Sequence, residues 1–199
     1  MRFLPEQYNI LKIENKLNHM KLFKLLLLGL LIIPFNINAQ NSIHDFEVNT
    51  IDGNKFDLSE LKGKKVMVVN VASKCGLTSQ YEQLQKVYEL YGGENFTIIG
   101  FPANNFLKQE PGTDAEIKSF CTKNYGVSFP MMSKISVKGD DIHPLYKWLT
   151  SEELNKHGDH KVKWNFQKFL INENGQIDKV IAPKTKPDSQ EIIEWINAS

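Results

Sequence analysis

Two apolar runs constrain this chain more than any other feature: Val66 to Ala72 and Phe96 to Phe101. Each is shorter than an ordinary helix and rich in β-branched or aromatic residues, the pattern of a strand buried on both faces. Between them, Thr78 or Ser79 introduces Tyr81-Glu82-Gln83-Leu84-Gln85-Lys86-Val87-Tyr88. That spacing predicts an amphipathic helix over 78–91, closed by Gly92 and Gly93. A strand, a covering helix and a second buried strand form an α/β unit with parallel central strands, whose chemistry gathers at the carboxyl ends of the strands. Those ends are the turn holding Cys75 and the segment Pro102-Ala103-Asn104-Asn105-Phe106, so the two loops are expected side by side.

The remaining elements follow from the same signals. Short strands are predicted over 43–48 and 55–58 around the turn Asp52-Gly53-Asn54, and a helix over 114–124 starting at Thr113 or Asp114, with Cys121 near its end. A strand is predicted over 131–137, a short helix over 144–149, and a hairpin of 166–171 with 176–181 across Asn172-Glu173-Asn174-Gly175. A last helix is predicted from Ser189 to Ile196. Gln109-Glu110-Pro111-Gly112 reads as a turn that positions the second helix.

Cys75 lies between a buried strand and a helix start. Amides at a helix N-terminus and the adjacent Lys74 both favour an anion, so the thiolate is expected over the thiol. The plainer reading is a small hydrophobe at a strand end, and these residues alone leave the two open. Cys75 and Cys121 are the only cysteines, a count that fits a structural disulfide or a redox pair. His157 and His160 beside lysines read as a solvated loop, with no third metal ligand at a recognisable spacing.

The beginning of the chain has its own character. Met20-Lys21-Leu22-Phe23-Lys24 is basic, Leu25 to Ile33 is apolar, and a polar stretch ends at Ala39-Gln40. That order describes a secretory leader over 1–39, with Met20 as the expected true start and an uncleaved anchor as the alternative. Residues 40–199 then form one domain, and export places it in a compartment such as the periplasm. Without the leader, 24 basic and 23 acidic side chains become 19 and 21, because Arg2, Lys12, Lys16, Lys21, Lys24, Glu6 and Glu14 leave with it. A slightly acidic domain gives no reason to expect nucleic acid as a partner.

Several separate motifs, in order over 43–197, resemble the glutathione peroxidases. They are Asn70 to Tyr81 around the thiol, Gly100 to Phe106 followed by Gln109-Glu110-Pro111-Gly112, Phe120-Cys121 through Phe129-Pro130, Pro144-Leu145-Tyr146, and Lys163-Trp164-Asn165-Phe166-Gln167-Lys168-Phe169-Leu170. The resemblance implies a thioredoxin-like fold, with a central mixed sheet covered by helices on both faces, and reduction of peroxides without a bound cofactor. It makes Cys75 the peroxidatic residue and Trp164 and Asn165 its neighbours. Asn105 stands where the family's pattern has glutamine, and Cys121 stands where two-cysteine members carry the resolving thiol. The short stretch from His143 to Trp164 has no room for the insertion of glutathione-using tetramers. It resembles instead the compact monomers that take electrons from a thioredoxin-like protein, with glutathione as the other candidate donor.

Bonding of Cys75 to Cys121 places them in different elements and is expected to require partial unwinding of the helix over 114–124. Two rival readings stand beside the peroxidase: an exported peroxide sensor or thiol-disulfide relay, and a non-catalytic domain with an inert disulfide. A Cys-x-x-Cys oxidoreductase is disfavoured, because Gly76-Leu77-Thr78 follows the thiol.

Overall fold

The central strands pack as the apolar runs require. In the computed structural model, which describes residues 41–198, β3 (Lys65–Val71) and β4 (Phe96–Pro102) are buried along their whole length. They pair in parallel, with Lys65 opposite Phe96 and Val71 opposite Pro102. A 3₁₀ turn (Ile43–Asp45), β1 (Glu47–Asn49) and β2 (Lys55–Asp57) precede them, the last two forming a separate antiparallel pair. β5 (Lys168–Ile171) runs antiparallel to β3, and β6 (Ile177–Ile181) antiparallel to β5, giving a mixed sheet of order β4-β3-β5-β6. The expected leader and its start at Met20 lie outside the described residues.

Alternation along β3 divides the core. Val66 and Val68 join Ile99, Phe101, Phe169 and Ile171 under helix α3 (Pro144–Thr150), while Met67, Val69 and Val71 face the other way. On that second face lie α1 (Gln80–Tyr91), α2 (Asp114–Tyr125) and α5 (Gln190–Asn197), contributing Tyr81, Leu84, Ile117, Cys121, Ile192 and Trp195. Each fully buried aliphatic side chain contributes about 1.5–3 kcal/mol, so both faces hold the sheet. The short α4 (Glu152–Asn155) follows α3. The expected α/β sheet with helices on both faces is what forms.

Three expectations are corrected. The strand expected over 43–48 begins only at Glu47, because Ile43–Asp45 closes into a 3₁₀ turn capped by Ser42. The segment 131–137 is not a strand: it makes only isolated bridges, Met131 to Gly100 and Met132 to Thr50. Met132 N–H reaches Gly100 O and Ile135 N–H reaches Pro102 O, three residues against two, so no regular ladder continues. The first helix starts at Gln80: Ser79, at its N-cap, makes no side-chain cap, and Thr78 cannot cap because its hydroxyl is used inside the preceding turn.

Candidate active site

Cys75 sits half-buried in the turn between β3 and α1. Thr78 closes that turn: its hydroxyl accepts from Cys75 N–H at 2.9 Å and donates to Ala72 O at 2.9 Å. Its own N–H donates to Cys75 O at 3.0 Å. The turn aims Leu77 N–H at the sulfur, 3.4 Å away. One backbone amide thus meets the thiol directly, in place of the open helix end that the sequence implies.

The second wall is the loop after β4. Leu107 and Lys108 adopt left-handed backbone conformations, with φ of 50° and 52°, and curl the chain so that Gln109 N–H bonds Phe106 O at 3.1 Å. Gln109 is thereby carried against the Cys75 turn, where its carbonyl accepts from Lys74 N–H at 3.0 Å. Its side-chain Oε1 accepts from Asn165 Nδ2 at 2.9 Å.

The third wall is the turn Trp164-Asn165-Phe166 before β5. Asn70, at the end of β3, fixes it by donating to Trp164 O at 3.2 Å and accepting from Phe166 N–H at 2.6 Å. Phe166 takes a φ of 67°, and Asn165 is fully buried with its Oδ1 free of protein partners among the described residues. The half-buried Trp164 ring packs on Phe106 with centroids 5.3 Å apart.

Asn105 is elsewhere. Its Nδ2 donates to Ser136 Oγ at 2.8 Å and Lys138 O at 3.1 Å, and its Oδ1 accepts from Val137 N–H at 2.9 Å. Those bonds pin the loop to 136–138, so the expectation that Asn105 supplies the amide beside Asn165 is corrected in favour of Gln109. Asn104, Asn105 and Gln109 are three amides within six residues. Nothing in their spacing tells which one the left-handed turn at 107–108 will bring round.

Cys121 lies on the inner face of α2, 1% exposed, in the core cluster against which Cys75 also packs. Both cysteines are free. Burial pushes the Cys121 thiol up to about 11; the Tyr81 hydroxyl beside it works in the opposite direction, and the Glu110 carboxylate adds to the rise. His157 and His160 bring ring nitrogens within 2.7 Å of each other, and no cluster of three metal-ligating side chains occurs among the described residues.

The site therefore links a half-exposed thiol, through Lys74 and Gln109, to the buried amide of Asn165, with Trp164 next to Asn165 in the same turn. Comparison with known proteins identifies the family and the fold. The family model for glutathione peroxidase matches residues 43–150. A glutathione peroxidase homolog, BsaA of Halalkalibacterium halodurans, is 49% identical over 146 residues, covering 73% of this chain and 92% of its own. The crystal structure of Trgpx in apo form superposes with a TM-score of 0.61 at 41% identity, covering 79% of this chain and 97% of that one. A thiol:disulfide interchange protein of the thioredoxin family from Chlorobium tepidum TLS, at 22% identity and a TM-score of 0.55 over 78% of this chain and 95% of its own, shares the fold. The chain belongs to the glutathione peroxidase family, on a thioredoxin-like fold.

Proposed function

We propose that this thiol peroxidase works through two cysteines. The observation that carries the reading is the Cys75 turn itself, half-exposed and tied through Gln109 to the buried amide of Asn165. The Cys75 thiolate attacks one oxygen of a hydroperoxide; the S–O bond forms, the O–O bond breaks, and the departing alkoxide takes a proton to leave as alcohol or water. Leu77 N–H holds the sulfur, and Trp164, Asn165 and Gln109 supply neutral donors for the charge that develops on oxygen. Cys75 is left as a sulfenic acid, which Cys121 converts to a disulfide with loss of water before further oxidation can occur.

With its thiol near 11, Cys121 at rest is a thiolate in only about one molecule in ten thousand at neutral pH. Partial opening of α2 both brings it to Cys75 and returns it to water, where the thiolate is easier to form. The disulfide is then a substrate for dithiol exchange, which favours a thioredoxin-like protein over glutathione as donor. The proposal extends to a monomer exported under the direction of residues 1–39.

Peroxide consumption by wild type, Cys75→Ser and Cys121→Ser, with a thioredoxin system or glutathione, tests the reading. Thioredoxin-driven turnover lost in both variants is the expected result. Loss with Cys75→Ser alone would mean direct reduction by an external thiol. No turnover in wild type would leave the sensor or the inert disulfide.

A further inference from the structure

Glu110 is a carboxylate with no exposed surface, and the chemistry above does not use it. One oxygen accepts from Ser73 N–H at 2.9 Å and the other from the Ser73 hydroxyl at 2.5 Å. Its own N–H donates to Asn104 Oδ1 at 2.9 Å, and its carbonyl accepts from Lys134 Nζ at 3.4 Å. No ion pair among the described residues reaches the carboxylate. Burial accordingly makes it harder to ionise, although Ser73 and the charges of Lys134 and Lys74 oppose that effect. A buried carboxylate held by one serine is an expensive way to tie down a loop.

Its place explains the expense. Ser73 and Lys74 are the residues just before Cys75, and Glu110 and Gln109 bind them in turn, the second through Lys74 N–H. Next to this contact, a cleft of about 380 Å³ parts Ser73 and Lys74 from Ile117 and Phe120 of α2. Side-chain packing therefore does not fill the space between the turn and the helix, and its lining includes Ser73, the partner of Glu110, and Pro111, the residue after it. We propose that Glu110 is a positioning residue that acts as a latch: it holds the Cys75 turn in the arrangement that meets peroxide, and it releases Ser73 when Cys75 goes on to bond Cys121. In that second step the Cys75 S–OH bond breaks, the S–S bond forms, and the hydroxide leaves as water with the Cys121 proton. Glu110 gives up two hydrogen bonds and transfers no proton.

The latch rests on the two-cysteine reading, and its test separates the half-reactions. Sulfenic acid formation is followed by stopped flow with hydrogen peroxide in full-length Cys121→Ser protein, and single-turnover disulfide formation in protein with both cysteines. Glu110→Ala is expected to slow the first about tenfold or more, as loss of alignment does, and to leave the second unchanged or faster. Glu110→Gln is expected to restore the first, since its amide oxygen can accept from Ser73 N–H while its NH₂ donates to the hydroxyl. Ser73→Ala keeps the backbone bond and should fall between; it carries the comparison if Glu110→Ala does not fold. Equal slowing of both half-reactions, no slowing of the first, or failure of glutamine to rescue it would overturn the latch. Absence of any disulfide in wild type would instead sink the two-cysteine reading, and the Cys121→Ser comparison would still report on Glu110.

Discussion

Gln109 and Asn105 separate two jobs that an amide can do four residues apart. Asn105 spends both ends of its amide on 136–138, which is loop architecture, whereas Gln109 reaches Asn165 and the Cys75 turn. Gln109→Ala is expected to lower the rate of peroxide reaction about tenfold or more, as loss of a fixed donor does at a developing oxyanion. Asn105→Ala is expected to cost about 1–3 kcal/mol of stability through the groups it leaves unpaired, with that rate changed little. Urea unfolding and stopped-flow oxidation of the two variants check this, and the reverse pattern would return the role to Asn105. The turns that hold Cys75, Trp164 and Asn165 are legible because the motifs around them are contiguous in sequence. Gln109 is not, because its position depends on left-handed conformations at Leu107 and Lys108, residues that do not announce such a turn.

Helix α2 is held at its ends more than along its length. Thr113 and Glu116 form a reciprocal capping box, Gly126 closes the other end with φ of 61°, and Ile117 and Cys121 are its buried residues. A helix with so thin a tie to the core is a natural unit for local opening. Thr113→Ala removes a cap worth about 1 kcal/mol, which is about fivefold in an opening equilibrium. Disulfide formation limited by that opening is expected to speed up by a similar factor, and hydrogen exchange should show α2 losing protection once the disulfide forms. Unchanged protection after peroxide would mean the thiols meet without unwinding. The caps of α2 could be read from Thr113-x-x-Glu116, and the buried strands from their unbroken apolar runs. The segment 131–137 misled for a physical reason: it is apolar enough for a strand but divides its backbone bonds between Asn49, Gly100 and Pro102.

At the scale of the whole molecule, Lys168 is a buried cation that joins the sheet to its cover. Lys168 on β5 has no exposed surface, and its Nζ donates to Gln80 Oε1 at 2.6 Å, Thr185 O at 2.5 Å and Pro183 O at 3.3 Å. It therefore ties the central sheet to the start of α1, next to the Cys75 turn, and to the chain entering α5. Burial lowers its pKa from 10.5 to about 7. A base whose folded pKa is depressed weakens the fold fully below the folded value, where both states are charged. That penalty is relieved as pH rises from about 7 towards 10.5, because over this window the unfolded chain binds more protons than the folded one. Wild type measured against Lys168→Met by urea unfolding is thus expected to gain stability steadily from pH 7 to 10, other titrating groups being common to both. A difference that stays flat with pH would show that the three oxygens hold the ammonium as well as water does, and the anchor under α1 would then be a permanent charge.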